Sequence, residues 1–211
     1  VLTESHGMEY IEVLTGFKFI GEKIHQFETT GCNEFLLGFE ESYGYLVGTH
    51  ARDKDAVVAS MLIAEMAAYY SKKGKTLYDV MQELYKTYGG FAEETVSITM
   101  EGSDGIAKIK AIMEDMRNNK PENFGKFKVS AIRDYKTSVK YNLADGSEEV
   151  LTLPESDVLY FELTDGASFV ARPSGTEPKI KLYYLIQSET EESAKNVLAE
   201  VKTAVEKYMN K

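Results

Sequence analysis

Apolar residues recur with two periods along this chain, and the change between them divides it. Tyr10 to Leu14 alternate as a strand, while Phe17, Ile20 and Ile24 predict a helix over Gly16 to Phe27. Thr29 to Asn33 read as a turn, and Glu34 to Phe39 as a second strand. Asp53 can cap a helix running from about Lys54 to Ser71. Its interior, Ala56 to Ala64, is apolar nearly all round. The expectation is a helix buried on more than one side, with Met61 and Met66 filling core. Gly74 suits the C-terminal cap, and Lys72 and Lys73 suit the negative end of the helix dipole. Thr76 and Asp79 form a variant capping box for a helix over Leu77 to Tyr88, which Gly89-Gly90 breaks.

Beyond that break, Glu94 to Met100 alternate as a strand. A helix from about Ser103 to Asn118 gathers Ile106, Ile109, Ile112, Met113 and Met116 on one side. From Phe127 the pattern is β-rich, with strands expected at 129–132, 138–143, 150–153, 158–163, 168–171 and 180–185. Asp145-Gly146 and Asp165-Gly166 are hairpin-type turns. A last helix over Glu191 to Met209 carries Ala194, Val197, Leu198, Val201, Ala204, Val205 and Tyr208 on one face. The fold class is therefore α/β followed by α+β, the second part an antiparallel sheet with two helices. The expected organisation is an α/β domain over 1–73, a connecting helix and linker over 74–90, and an α+β domain over 91–211.

Composition narrows the class. The chain of 211 residues is 43% apolar and has room for one or two domains. It has no apolar run long enough for a membrane helix. Net charge −10 without basic clusters argues against a nucleic-acid scaffold. The single Cys32 cannot pair internally, which fits a reducing cytoplasm.

Two segments concentrate chemistry. Arg172-Pro173-Ser174-Gly175-Thr176-Glu177-Pro178-Lys179 lies between two strand-like runs and reads as a tight loop. Arg172 offers a planar fork of donors, Ser174 and Thr176 offer hydroxyls, and Gly175 admits an anion to the backbone N–H groups. That set suits a phosphate, although an ordinary hairpin with one exposed Arg has the same composition. Gly38-Phe39-Glu40-Glu41-Ser42-Tyr43-Gly44 sets paired carboxylates beside a Ser. Such carboxylates can accept from adjacent sugar hydroxyls, or they can be solvated side chains of a polar turn. For His50 and Arg52, shaping the loop or binding phosphate weakly is favoured over acid–base catalysis, and His6 and His25 are incidental.

In sequence, Glu40-Glu41-Ser42-Tyr43-Gly44, Arg172-Pro173-Ser174-Gly175-Thr176 and Thr15-Gly16-Phe17-Lys18-Phe19-Ile20-Gly21 resemble motifs of the α-D-phosphohexomutase superfamily, most closely of its phosphoglucomutases. The resemblance implies a C-terminal part of a larger mutase: most of a mixed-sheet α/β domain three, then a TATA-binding-protein-like domain four. It implies that Arg172, Ser174, Gly175 and Thr176 bind substrate phosphate, with Lys54 as a further contact. Glu40 and Ser42 would bind the sugar, and Thr15 and Gly16 would line the cleft. The implied reaction interconverts glucose 1-phosphate and glucose 6-phosphate through a phosphoserine and glucose 1,6-bisphosphate, with Mg²⁺. The family's phosphoserine loop, Thr-Ala-Ser-His-Asn-Pro, and its metal loop, Asp-Gly-Asp-x-Asp-Arg, are not in this sequence. Catalytic and metal-binding residues are therefore expected outside it, in domains one and two, and the chain alone is expected to be inactive. Glu41 between Glu40 and Ser42 favours glucose phosphates. A phosphopentomutase, a phosphomannomutase or a non-catalytic phosphosugar-binding module are the alternatives.

Overall fold

The computed structural model describes residues 2–102 and 104–209. The chain divides into two compact units, 1–84 and 85–211.

The first unit holds helix α1 (Leu2–Ser5), helix α2 (Phe17–Thr30), strands β1 (Leu37–Phe39) and β2 (Tyr45–Val47), and helix α3 (Ala56–Ser71). Helix α4 (Leu77–Tyr88) runs across the division. β1 and β2 form a two-stranded antiparallel hairpin. The unit's core is small: Phe17, Ile20 and Ile24 of α2 close on Leu46 of β2, with Val13, Phe35 and Ala51 around them. Helix and hairpin approach closely at Gly38, where an added Cβ would lie 2.6 Å from Ile20 Cγ2.

Three expectations change here. Tyr10 to Leu14 form no strand, because no neighbouring strand among the described residues offers them a ladder, and Tyr10 and Ile11 are exposed. The cap of α3 is Asp55, whose carboxylate accepts from the N–H groups of Val57 and Val58. Asp53 instead accepts from the N–H and ammonium of its neighbour Lys54. Helix α3 buries none of its residues, and Val57 is 80% exposed and Met61 59%. Its sequence is as apolar as the pattern suggested, but it has no layer to fill, so Met61 and Met66 are not core. The capping box of α4 forms as expected: Asp79 accepts from Thr76 N at 2.8 Å, and Asp79 N donates to Thr76 Oγ1 at 3.2 Å.

The second unit is built on strands β3 (Gly90–Thr99), β4 (Asn123–Phe124), β5 (Phe127–Asp134), β6 (Val139–Asn142), β7 (Glu148–Val150), β8 (Leu159–Leu163), β9 (Ala167–Pro173) and β10 (Lys179–Ser188). They form an antiparallel sheet in the order β3-β10-β9-β8-β5-β6-β7, with β4 beside β5. Helices α5 (Gly105–Asn119) and α6 (Glu191–Met209) contribute Ile109, Met113, Met116, Ala194, Val201 and Val205 to the same core as Phe161, Phe169, Leu182 and Tyr184. Phe161 stacks on Phe169 at 4.7 Å, and Phe124 meets both edge-on. Arg117 of α5 is tied to the sheet through Asp134, which is 1% exposed, and through Asp157.

The β8–β9 turn has Asp165 and Gly166 both left-handed, as a tight hairpin requires. The strand expected at 150–153 lies earlier, at Glu148–Val150, because pairing across the Asp145-Gly146 turn sets Tyr141 opposite Glu148 and Val139 opposite Val150. Residues 151–153 run past the start of β6. β10 is longer than expected and reaches Ser188, since it has a partner on each side. Ser103, the expected start of the second-unit helix, lies outside the described residues.

Candidate functional site

Both chemistry-bearing segments are hairpin tips. In the first unit, Phe39 pairs with Tyr45 and their rings stack at 6.3 Å. Residues 40–44 form the tip. It is closed by Glu40 N donating to Gly44 O at 2.9 Å and Tyr43 N donating to Glu40 O at 3.2 Å. Tyr43 adopts φ 64° and is 87% exposed, so it stands off the tip instead of packing. Glu41 and Ser42 are exposed beside it. The Glu40 side chain is only 10% exposed and turns back toward Lys54, with Nζ to Oε2 3.9 Å. Gly44 leaves room for that approach: a Cβ there would sit 2.8 Å from Lys54 Cδ and 3.0 Å from Glu40 Oε2.

Lys54 Nζ also lies 3.1 Å from Asp53 Oδ1 and 5.6 Å from the centre of the Phe17 ring. Its pKa is raised, first by the hydrogen bond to Asp53 and further by Glu40. Phe17 directly follows Gly16, the N-cap of α2 with φ 129°, and Thr15 precedes it. The fold thus brings Glu40, Lys54 and Phe17, the residue after Gly16, together within the first unit, while Ser42 stays exposed on the tip. His50 and Arg52 serve the local structure. His50 Nε2 donates to Asp55 Oδ2 at 2.9 Å, behind the α3 cap, and Arg52 donates to Thr49 O and Glu28.

In the second unit, β9 and β10 pair with Arg172 opposite Lys181 and Pro173 opposite Ile180. The tip between them is held by Ser174 N donating to Lys179 O at 2.8 Å and Lys179 N donating to Glu177 O at 2.7 Å. Ser174 Oγ accepts from the N–H groups of Thr176 at 3.4 Å and Glu177 at 3.2 Å. Both N–H groups are thus taken by the hydroxyl oxygen, whose own O–H is left to donate to an anion. Gly175 stands free: a Cβ there would meet nothing within 4 Å.

Arg172 differs from the other arginines of the chain. Arg52, Arg117 and Arg133 each end on a carboxylate. Arg172 has none among the described residues, and neither does Lys181 directly across from it. Like charges opposed on neighbouring strands are unfavourable unless something between them compensates. The nearby Glu177 is engaged by Lys179 at 3.2 Å. Lys181 was not singled out from the sequence. Folding the loop as a hairpin with Arg172 beside the tip would have found it, because the antiparallel register fixes its opposite number.

Two family models match this chain. Residues 1–88 match the alpha/beta/alpha domain III of phosphoglucomutase/phosphomannomutase, and residues 99–204 match the C-terminal domain of the same enzymes. The chain belongs to the phosphoglucomutase/phosphomannomutase family. The 40–44 tip falls in its domain III and the 172–178 tip in its C-terminal domain.

The chain is 43% identical over 183 residues to a phosphoglucomutase of Staphylococcus aureus (strain bovine RF122 / ET3-1), covering 86% of this chain and 32% of that protein. It is 38% identical over 183 residues to a phosphoglucomutase of Staphylococcus haemolyticus, with 86% and 33% covered. The chain thus spans about a third of the length of the curated relatives it matches. Its fold is similar to the crystal structure of pp63/parafusin, an exocytosis-sensitive phosphoprotein and phosphoglucomutase from Paramecium, in its open form. That likeness has a TM-score of 0.67 at 18% identity, covering 99% of this chain and 35% of the other.

Among the described residues no group of three or more His, Cys, Asp or Glu could hold a metal ion, and no helix is long and apolar enough to cross a membrane.

Proposed function

We propose that this chain is the substrate-binding C-terminal part of a phosphoglucomutase, in which the 172–178 tip binds a substrate phosphate and the 40–44 tip binds sugar hydroxyls. The observation that carries the reading is the Arg172 guanidinium. It has no carboxylate partner among the described residues, and it lies on β9 two residues before Ser174, whose hydroxyl gathers the N–H groups of Thr176 and Glu177. Arg172 and Lys181 supply charge, while Ser174, Gly175 and Thr176 supply directed donors, for the phosphate that is not reacting. Binding there fixes orientation and leaves the other end of the sugar to the chemistry. Glu40 and Ser42 accept from and donate to ring hydroxyls, since a carboxylate repels a phosphate but accepts from a neutral OH. Lys54 holds Glu40 in place and can reach an anion, and Thr15 and Gly16 border the sugar.

The phosphoserine that exchanges phosphoryl groups with glucose 1-phosphate and glucose 6-phosphate, by way of glucose 1,6-bisphosphate, belongs to the rest of the parent polypeptide. So does the magnesium ion. Phosphoryl transfer depends on positioning and charge neutralisation, and this chain contributes the first. In this reading residues 1–73 form the α/β part, 74–90 the connection and 91–211 the α+β part. One exposed cysteine is in keeping with a cytoplasmic enzyme.

The test is a titration of the ¹⁵N-labelled chain. Glucose 1-phosphate should shift amide signals of both 40–44 and 172–177, inorganic phosphate only those of 172–177. Glucose 1-phosphate that moves neither set, at concentrations up to the tens of millimolar, would sink the reading.

A further inference from the structure

The Arg172 guanidinium is held from one side only. Its Nη1 donates to the phenol oxygen of Tyr183 at 3.5 Å, its one side-chain hydrogen bond among the described residues. The strand register brings the two together. Lys181 lies opposite Arg172 and Tyr183 opposite Val170. Residues two apart share a face, so Tyr183 is the diagonal neighbour of Arg172 on the same face of the sheet. Tyr183 is 8% exposed, so its ring is fixed and its oxygen is a fixed point.

The chemistry of that acceptor matters. A carboxylate would orient the guanidinium and also neutralise it, as happens at Arg52, Arg117 and Arg133. A phenol oxygen orients without neutralising. It occupies one of five N–H donors and leaves the other edge of the fork for two parallel bonds to an anion. At 3.5 Å the contact is at the long end of the hydrogen-bond range, a length that can shorten once an anion draws the guanidinium into place.

We propose that Tyr183 is a positioning residue of the anion site, setting the orientation of the Arg172 guanidinium while leaving its charge available. The inference rests on the phosphate reading of the 172–178 tip and names what aims its cation.

The experiment uses the whole 211-residue chain, inorganic phosphate as probe, and four proteins: the native chain, Tyr183→Phe, Arg172→Ala and the double variant. Tyr183→Phe keeps the ring and its packing and removes only the acceptor. It should raise the Kd for phosphate about three- to tenfold, the worth of one ordinary hydrogen bond, with no fall in melting temperature. The Arg172 Nε–H signal, which phosphate should sharpen in the native chain, should stay broad. In the Arg172→Ala background the same substitution should change nothing.

If Arg172→Ala weakens binding and Tyr183→Phe does not, the positioning role is overturned and the phosphate reading stands. An equal loss from Tyr183→Phe with and without Arg172 also overturns it, since Tyr183 then acts independently of the guanidinium. If Arg172→Ala binds phosphate as the native chain does, both the reading and the inference fail.

Discussion

Gly175→Ala should raise stability and lower anion affinity, and that opposition of signs separates a binding role from a folding one. Gly175 has no left-handed backbone, and a Cβ built on it meets nothing within 4 Å. At such a position the substitution acts mainly by narrowing the unfolded ensemble, and stabilises by about 0.4–1 kcal/mol. For a domain of this size that is a rise of about 1–4 °C in melting temperature. The same open space is where a phosphate must sit to reach the Gly175 N–H and the Ser174 hydroxyl, neither of which has an acceptor among the described residues. A methyl there displaces it and removes at least one charge-assisted hydrogen bond, worth about 1.5–3 kcal/mol. The expected loss of affinity is about 10- to 150-fold. Calorimetric melting gives the first quantity, and titration of the labelled chain with inorganic phosphate gives the second. Unchanged affinity would refute the cradle. A fall in melting temperature would instead mean that the loop backbone differs from the one described.

Asp134→Ala should destabilise the second unit by about 1–3 kcal/mol, because Arg117 loses its buried partner and keeps only Asp157; an unshifted urea midpoint would contradict this. The Asp55 carboxyl is held below the ordinary carboxylate range, first by the hydrogen bond from His50 and then by the N–H of Val58. A depressed folded pKa gives stability that is present above the unfolded value of about 3.9 and lost as pH falls through the lower folded value. The start of α3 should therefore fray below about pH 4, followed at the Val57 and Val58 amides; the same step in Asp55→Ala would assign it to another group. Finally, the chain alone should not turn over glucose 1-phosphate, since it lacks the family's phosphoserine loop. Turnover by chain purified free of host mutase would contradict the division of labour proposed above.

The second unit was largely legible in the sequence. Strands such as β8 and β9 alternate, the hairpin turns carry Asp-Gly, and the helices have a single apolar face, so local pattern and tertiary environment agree. The Glu191–Met209 helix and the Asp165-Gly166 hairpin are instances. The first unit was less so. Tyr10 to Leu14 have strand alternation, but a strand is defined by its neighbour, and periodicity is blind to whether one exists. Helix α3 was assigned to a core on composition, and in the structure it has none. The Asp53 and Asp55 ambiguity is of a different kind. Both can cap, and what decides is that Lys54 claims Asp53. At the site, the motif residues could be read directly, whereas Lys181 and Tyr183 emerge only when strand register is known.

The charge balance of the molecule explains why the register matters. With net charge −10, the chain as a whole repels a phosphate. At physiological salt, charges beyond about 8 Å are largely screened, so only the neighbours of the tip count. Among these, Glu177 is the carboxylate within the loop itself, and it is taken by Lys179 at 3.2 Å. Had Glu177 paired with Arg172 instead, an anion would have to break an ion pair before gaining one. Pairing it with the flanking lysine leaves Arg172 and Lys181 uncompensated and opposed on adjacent strands, an arrangement that costs stability when empty and is relieved when an anion arrives. A neutral phenol beneath the guanidinium preserves that state. On the proposed reading, local distribution of charge, not total charge, is what would let an acidic chain take up an anion.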